Sequence, residues 1–393
     1  MGFVVNRIGL TVLFEPQGGE PDLDIVFVHG LFGHPQNTWT CSTSRHGDQI
    51  KPLTSADGEA VEQTPKERST LGRKAPKDVY WPRDLLPTIM PQSRIFTWGY
   101  DVSIDHIFSS ASHASVFQHA ETLLFDLATL RRTPTEKTRP IIFVAHSLGG
   151  IVVKDALCLS KNERNFNGDI LPATTGVCFR GTPHRGSKAA SIRKVAFEIS
   201  KVFLRDPNLK VLCVLEINSE ILERVTRSFC QILRDGNLSV HSFSEELSTS
   251  GIKVVDTFSS YISDANETRG VIHANHRDVA RFASADDPGF KRVGNVLLRW
   301  ESDIPLKKAV CLTQLDNREA RYRIRDVKQT FEDTYSWLFK DKVGFEDWLR
   351  GKIESGIYWI RGKPGSGKST AMKFALQHKL TRCLLEEYNN ISP

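Results

Sequence analysis

The chain has 393 residues, of which 40% are hydrophobic and 25% charged, as is usual for soluble globular proteins. Its formal net charge of +6 comes from 52 basic and 46 acidic side chains spread along the whole chain, a distribution that argues against a nucleic-acid-binding surface. No stretch approaches about 20 uninterrupted apolar residues, and the seven cysteines are widely separated, which argues against an integral membrane segment, a disulfide framework and a zinc site.

Short apolar runs separated by longer stretches predict a mostly parallel, doubly wound α/β sheet covered by helices on both faces. The first run, 22–29, ends in polar residues and glycine, as a buried parallel strand does where it enters a loop. The polar stretch 41–78 is interpreted as a surface loop. Further strands are predicted at 94–98, 140–145, 176–180, 238–243 and 252–256.

Two helices are predicted from apolar residues that recur at intervals of three and four. The first covers 113–131 and the second covers 186–204. We interpret both apolar stripes as core packing. Residues 301–345 are heavily charged with scattered apolar side chains, a pattern that favours a helical connector between two units.

The segment 140–157 has the pattern of a strand, a tight turn and a helix, with Ser147 at the tip of the turn. Such an elbow needs small residues two positions before and two after the serine, because a larger side chain would strike the adjoining strand or helix. Ala145 and Gly149 meet that need. The pattern predicts that Ser147 is a nucleophile, and the alternative is that Ser147 only caps the helix.

An acyl-transfer serine needs hydrogen-bond donors aimed at the oxyanion that develops during the reaction. The backbone N–H of Leu148 is one candidate, and the loop from His29 to Gly33 follows an early strand and is suited to provide the second. We predict the N–H of Leu31 as that donor and a structural role for His29. A structural role for the whole loop is the alternative.

The partners of the serine follow it in a known chain order, because proteins with such an elbow place the acid next and the histidine last. Glu245 follows the strand at 238–243, Asp256 ends the next predicted strand, and His273 and His276 lie in the loop beyond. The residues alone therefore leave two candidates for the acid and two for the base. A histidine that merely caps its own turn is a further alternative.

Seven segments of the chain carry a resemblance to a known family. In order they are DIVFVHGLFGHPQNTW (24–39), WPRDLLP (81–87), TWGYD (97–101), IIFVAHSLGGIVVKDAL (141–157), RGTPHRGS (180–187), SFSEEL (242–247) and ANHRDVARFASADDPGFKRV (274–293). Together they resemble the lipase-like hydrolase domain of fungal NACHT-type NOD-like receptors, which is related to serine-active-site lipase-like proteins of eukaryotes. The resemblance implies an α/β-hydrolase fold with His276 as the base and Glu245 as the acid.

The same resemblance implies a function and a setting. It implies a serine hydrolase that cleaves an ester, with lipid esters included, without a cofactor, as the effector domain of a receptor in fungal innate immunity and heterokaryon incompatibility. Self-association or receptor partners are implied as well. The expected location is cytoplasmic, with peripheral association with the mitochondrion or endoplasmic reticulum as the alternative. The second hypothesis is a conditional or non-catalytic signalling module.

Residues 357–370 read IYWIRGKPGSGKST and predict a strand, a phosphate loop and the start of a helix. In such a loop successive backbone N–H groups face phosphate oxygens, the lysine reaches the outer phosphates and the serine hydroxyl binds Mg²⁺. The cofactor would be ATP or GTP with Mg²⁺, for which Ser369 is the metal ligand. The predicted nucleotide-binding residues are Gly362, Gly365, Gly367, Lys368, Ser369 and Thr370.

The predicted organisation is an α/β-hydrolase domain over 1–300, a helical connector over 301–350 and a NACHT-type phosphate-loop segment over 351–393. Only about two dozen residues follow Ser369, which leaves no room in this chain for the later strands and the Mg²⁺-organising acid of an NTPase. We therefore predict no NTPase activity from this chain and interpret the last segment as truncated.

Overall fold

A computed structural model describes residues 3–30, 33–42, 78–101, 115–163, 167–184, 224–235, 238–248, 255, 260–262, 264–315, 326–327, 334–340, 344–350, 352 and 358–391. The chain divides into two compact units. The first comprises Met1–Gln17 with Pro21–Glu301, and the second comprises Gly18–Glu20 with Ser302–Pro393.

The first unit is built on a mostly parallel sheet. Its strands and those of a small ribbon are β1 Gly9–Phe14, β2 Leu23–Val28, β3 Thr40–Cys41, β4 Val79–Tyr80, β5 Ser93–Gly99, β6 Ile141–His146, β7 Thr174–Arg180, β8 Ser239–Glu245 and β9 Glu267–Ile272. The order in the seven-stranded sheet is β1-β5-β2-β6-β7-β8-β9. Every pair is parallel except β1 with β5, and β3 with β4 forms the separate antiparallel ribbon.

Helices cover both faces of this sheet. In the first unit they are α1 Trp81–Asp84, α2 Leu86–Ile89, α3 Ser115–Leu130, α4 Pro134–Thr138, α5 Gly149–Asn162, α6 Ile170–Ala173, α7 over 224–234, and α8 Pro288–Leu315, which continues beyond the unit. Val177 belongs to the apolar core that α3 and α5 share with the sheet. Its neighbour Gly176 faces the other way, where an added Cβ would meet the Trp300 ring of α8. Adjacent strand residues point to opposite faces, so both faces are covered.

The predicted mostly parallel α/β architecture is confirmed for the first unit. β2, β5, β6 and β7 are buried along nearly their whole length, which is why they read as continuous apolar runs in the sequence. Sequence analysis missed both edge strands, β1 and β9. β9 has the sequence ETRGVI and is buried only at its two ends, so it carries no apolar run to recognise.

Several predicted elements lie outside the described residues. They are the helix at 186–204, the strand at 252–256 except Val255, and nearly all of the loop at 41–78. The strand that directly precedes the histidine loop is β9, which pairs with β8 in parallel from Val240 to Glu245. The prediction that the strand at 252–256 leads into this loop was therefore wrong, because the unrecognised β9 lies between them.

The regular structure described in the second unit, beyond the end of α8, consists of short helices. Its helices are a 3₁₀ turn Ser336–Phe339, α9 Phe345–Leu349, α10 Lys368–Gln377 and α11 Lys379–Ile391. Leu338, Phe345 and Ala371 belong to one buried apolar cluster. Residues 358–361 were expected to form the strand before the phosphate loop but are not in a strand. A strand needs a paired neighbour for its backbone groups, and the described residues of this unit contain no other strand.

Among the described helices, none combines the length and the apolar character that a bilayer-spanning segment needs.

Candidate active site

The turn between β6 and α5 is a strained elbow. Among the described residues, Ser147 is the one residue other than glycine with a positive φ, 53°. Such a backbone costs about 1 kcal/mol or more and persists only where the surroundings enforce it. The Ser147 N–H donates to the carbonyl of Arg180 at 2.9 Å, so the end of β7 holds the elbow in place. The elbow places the Ser147 hydroxyl at the carboxyl end of the sheet.

Two glycines allow the loop after β2 to lie directly against this elbow. A Cβ on Gly30 would fall 2.6 Å from the Cβ of Ser147, and a Cβ on Gly149 would collide with the carbonyl of His29. Neither position can hold a larger residue without displacing backbone. The sequence requirement for small residues around the serine thus has its physical cause in the packing of two loops. Together with the parallel sheet, the elbow matches the α/β-hydrolase fold.

Three buried side chains form a continuous hydrogen-bonded chain at this end of the sheet. The Nε2 atom of His276 lies 3.0 Å from the Oγ atom of Ser147, and its Nδ1 atom lies 3.1 Å from the Oε2 atom of Glu245. The exposed fraction is 0% for His276, 0% for Glu245 and 1% for Ser147. A carboxylate can only accept a hydrogen bond, so Glu245 places the proton of the neutral imidazole on Nδ1. Nε2 then carries the lone pair that can accept the serine proton.

The second oxygen of the acid is also fixed. The backbone N–H of Val255 donates to the Oε1 atom of Glu245 at 2.7 Å. Glu245 ends β8, the neighbour of β7 in the sheet, so its carboxylate reaches the site from a rigid element. Asp256, the other acid that the sequence allows, lies outside the described residues.

His273, the other candidate base, lies away from this chain of contacts. Its Nδ1 atom lies 3.0 Å from a carboxylate oxygen of Glu246, and both side chains are exposed, at 71% and 54%. The two histidines differ in exposure because they lie three residues apart, on either side of a bend. His273 directly follows β9 and faces solvent, whereas His276 comes after the bend and turns inward.

One of the two predicted oxyanion donors is described. Leu148 stands at the N-terminus of α5, where the first backbone N–H groups of a helix have no intrahelical partner and favour negative charge. Leu31 lies outside the described residues. The glycines on either side of it are described, and the Gly33 N–H donates to the carbonyl of Gly30 at 3.0 Å.

His29 holds this loop, as the sequence predicted. Its Nδ1 atom lies 2.9 Å from the carbonyl oxygen of Gly30, and the Tyr100 hydroxyl donates to the His29 carbonyl at 2.9 Å. The two rings are stacked with centroids 4.5 Å apart. Burial lowers the pKa of His29 to about 4, so the imidazole is neutral at pH 7 and donates from Nδ1. A neutral side chain used in this way is a support of the loop.

The phosphate loop of the second unit has the backbone conformation of an anion cradle. Gly365 and Gly367 have φ values of 77° and 80°, and α10 begins at Lys368. The Nζ atom of Lys368 donates to the carbonyls of Gly362 and Lys363, each at 2.8 Å. Left-handed glycines before a helix start turn successive N–H groups toward one point. The backbone of this loop is therefore suited to an anion.

Few protein groups at this loop could bind Mg²⁺. Ser369 is exposed at the start of α10 and Thr370 is partly buried beside it. In the described part of the chain, no group of three or more His, Cys, Asp or Glu side chains is placed to hold a metal ion. Mg²⁺ keeps several water ligands and binds through few protein groups together with phosphate oxygens. Ser369 is the residue of this loop that could serve as such a group.

Comparison with known proteins identifies one family model and several curated relatives. The family model described as Nephrocystin 3, N-terminal, matches residues 333–389. Over 228 residues, 58% of this chain, the chain is 29% identical to Protein SERAC1 of Bos taurus, and over 229 residues it is 27% identical to Protein SERAC1 of Homo sapiens. The matched region spans about 30% of the length of these curated relatives.

Solved structures with a similar fold include lipases and esterases. The mature lipase BlEst2 of Bacillus licheniformis is 14% identical, with a TM-score of 0.45, over 74% of this chain and 99% of that one. Esterase B of Lactobacillus rhamnosis is 11% identical, with a TM-score of 0.39, over 76% of this chain and 82% of that one. At these identities the likeness concerns the fold alone.

Sequence analysis passed over three residues that touch the loop of His276. They are Trp81, His146 and Arg180, all buried, and each donates a hydrogen bond to a backbone carbonyl between residues 276 and 280. Each lies in a segment that carries the family resemblance. Their place in those segments was the signal available in the sequence.

Proposed function

We propose that the first unit is a serine hydrolase that cleaves an ester, lipid esters included, through an acyl-enzyme on Ser147. The observation that carries the proposal is the buried hydrogen-bonded chain from Ser147 through His276 to Glu245. A serine hydroxyl is a weak nucleophile until an adjacent base can accept its proton, and that base is effective only in the correct tautomer. Both conditions are met by the distances and burial of these three side chains.

The proposed reaction uses these groups in sequence. The Oγ atom of Ser147 attacks the ester carbonyl carbon while His276 Nε2 takes its proton, and the carbonyl oxygen becomes an oxyanion held by the N–H groups of Leu148 and Leu31. When the intermediate collapses, the ester C–O bond breaks and the imidazolium returns its proton to the leaving alkoxide. Water then repeats the cycle on the acyl-enzyme and releases the acid. Glu245 stabilises the imidazolium in both halves.

A fluorophosphonate probe tests this proposal directly. Such a probe forms a bond from phosphorus to the serine Oγ and releases fluoride, so it reports an activated hydroxyl without knowledge of the substrate. We expect labelling of the wild-type protein and of the exposed-histidine control His273→Ala, and complete loss of labelling in Ser147→Ala. Labelling is read from fluorescence in a denaturing gel. Equal labelling of wild type and Ser147→Ala, or no labelling of the folded wild type, would show that the proposed nucleophile is wrong.

We also infer that the phosphate loop binds the phosphates of ATP or GTP. The left-handed Gly365 and Gly367 and the position of Lys368 at the start of α10 support this second function. When bound, Mg²⁺ would neutralise phosphate charge, and Ser369 would hold it together with phosphate oxygens. Lys368 would exchange its two carbonyl partners for phosphate oxygens, which are stronger acceptors because they are charged.

Replacement of Lys368 measures this binding. We expect Lys368→Ala to weaken the binding of a fluorescent ATP analogue with Mg²⁺ by about 10- to 100-fold, the size of a lost charge-assisted hydrogen bond. Fluorescence anisotropy provides the dissociation constants, and unlabelled GTP as competitor shows which base is accepted. The control is Lys352→Ala, because Lys352 is a surface lysine of the same unit that pairs with Asp347. Unchanged affinity in Lys368→Ala would exclude the loop as the nucleotide site.

The wider setting is proposed on the resemblance stated above. In it the hydrolase is the effector part of a larger NOD-like receptor, and nucleotide at the phosphate loop makes the hydrolysis conditional. A cytoplasmic location follows from that setting, with peripheral attachment to a mitochondrial or endoplasmic reticulum membrane as the alternative. Labelling of Ser147 that depends on added nucleotide would favour the conditional module over a constitutive enzyme.

A further inference from the structure

We propose that His146, Arg180 and Trp81 are positioning residues that clamp the backbone of residues 276–280 and thereby hold His276 against Ser147. The inference rests on the proposed hydrolase function for its catalytic consequence. The hydrogen bonds on which the inference is built do not depend on that function. Three buried donors, from the end of β6, the end of β7 and α1, converge on three carbonyls of one short segment.

His146 makes the contact nearest to the reaction. Its Nε2 atom lies 2.9 Å from the carbonyl oxygen of His276, and because a carbonyl only accepts, Nε2 must carry the proton. Burial holds the pKa of His146 well below its usual value, and the neighbouring His276 lowers it further. His146 is therefore a neutral imidazole that donates from Nε2 to the His276 carbonyl. It is part of the support of the base and takes no part in the proton transfer.

The position of His146 in the chain gives this contact its consequence. His146 and Ser147 are successive residues at the end of β6, and His276 touches both. The Ser147 hydroxyl contacts the His276 side chain, while the His146 ring holds the His276 main chain. Two successive residues, His146 and Ser147, thus contact the main chain and the side chain of His276. His276 cannot move relative to Ser147 without lengthening one of the two hydrogen bonds.

Arg180 and Trp81 hold the following turn. The Arg180 guanidinium donates to the carbonyl of Val279, and the indole N–H of Trp81 donates to the carbonyl of Ala280 at 2.8 Å. Arg180 is fully buried, and its guanidinium carbon lies 4.5 Å from the centroid of the Phe282 ring and 5.6 Å from that of Trp81. Aromatic faces attract such a cation. Arg180 thus contacts Val279 and Phe282, on the loop that follows His276, and the ring of Trp81.

The loop that carries His276 has little regular structure of its own to keep the base in place. The loop joins β9 to α8 and holds a single 3₁₀ turn, Asp278–Ala280, as its described regular structure. A general base must stay within hydrogen-bond reach of the nucleophile, and a misplacement of about 1 Å can cost about 100-fold in rate. Donors from two central strands transfer the rigidity of the sheet to the loop.

Two substitutions of His146 separate the hydrogen bond from the bulk of the ring. His146→Met removes the donor at similar volume, whereas His146→Gln places an amide N–H close to the position of Nε2. With p-nitrophenyl butyrate as the probe substrate, we expect His146→Met to lower kcat by about 10- to 100-fold with KM within about 2-fold. His146→Gln should restore kcat to within about 3-fold of wild type. The matched control is His241→Met, because His241 is a buried histidine of β8 that bonds to Thr268 away from this loop.

Hydrogen–deuterium exchange of the peptide covering 274–282 supplies a readout that needs no turnover. The Asp278, Val279 and Arg281 amides bond within the loop, and His146→Met should speed their exchange at least about 10-fold, while His146→Gln and His241→Met should not. Folded His146→Met with unchanged kcat and unchanged exchange would overturn the clamp, as would His146→Gln that is as impaired as His146→Met. If the wild type shows neither turnover nor labelling, the hydrolase proposal fails and the exchange measurement still decides the clamp.

Discussion

Glu245→Gln is expected to lower kcat by about 10⁴-fold, with the protein still folded and KM nearly unchanged. The reason lies in the hydrogen bond from the Val255 N–H to the Oε1 atom of Glu245. In a glutamine the amide oxygen must take that position, because it alone can accept from Val255. The NH₂ group then faces the Nδ1 atom of His276 and can only donate to it.

This reversal would disable the base without moving it. An imidazole that accepts at Nδ1 carries its proton on Nε2, the atom that lies 3.0 Å from the Ser147 hydroxyl. Nε2 then has no lone pair for the serine proton, so the attack loses its base. In the wild type both oxygens of Glu245 accept, so the His276 proton lies on Nδ1. In Glu245→Gln the Val255 N–H fixes the orientation of the amide, and the amide then places the His276 proton on Nε2.

Steady-state hydrolysis of p-nitrophenyl butyrate, with circular dichroism as the check of folding, measures the effect. Asp256→Asn and Glu246→Gln are the matched controls, since the first removes the other acid that the sequence allows and the second removes the exposed acid next to Glu245. Both should keep kcat within about 3-fold. A larger loss in Asp256→Asn than in Glu245→Gln would transfer the role of the acid to Asp256.

The nucleophile elbow was predictable because its whole signal lies within one continuous segment. An apolar strand, two small residues and an apolar helix surround Ser147 inside 140–157, and each follows from local sterics. The acid and the base are a different problem. His276 is 129 positions from Ser147 and 31 from Glu245, so the residues provided only their order along the chain, and the choice of His276 and Glu245 came from the family resemblance.

Long-range contacts made by ordinary polar residues were beyond prediction. Trp81 bonds to a carbonyl 199 positions later in the chain, and nothing in its own neighbourhood indicates that partner. β9 was missed for a related reason, because an edge strand with polar residues has no pattern that separates it from a loop. Pairing with β8 supplies the missing information, and that pairing exists only in the folded chain.

The largest expected effect on stability belongs to such a long-range cluster. Asp24, on β2, is 1% exposed and accepts hydrogen bonds from Arg94 Nε at 2.9 Å and from Arg131, while Arg139 lies 3.9 Å away. Asp24→Ala would leave three buried guanidinium groups without this carboxylate. Removal of one partner from a buried ion pair costs about 3–5 kcal/mol, a large part of the 5–15 kcal/mol by which a typical protein is stable.

We expect the Tm of Asp24→Ala to fall by about 10 °C, measured by fluorescence of the buried tryptophans. Asp235→Ala removes an exposed carboxylate that pairs with Lys161 at 2.7 Å, and surface pairs of this kind contribute about 1 kcal/mol or less. A Tm for Asp24→Ala no lower than that of Asp235→Ala would mean that the three arginines do not depend on Asp24.

Activity per folded molecule should be kept in Asp24→Ala and largely lost in Glu245→Gln. Asp24 lies near the start of β2, whereas the loop that approaches Ser147 leaves the other end of that strand. The carboxylate therefore stabilises the strand from the end remote from the reaction. Folded Asp24→Ala at low temperature should label with fluorophosphonate as fast as wild type, while folded Glu245→Gln should label far more slowly. A catalytic defect in folded Asp24→Ala would mean that β2 transmits strain along its length to the elbow.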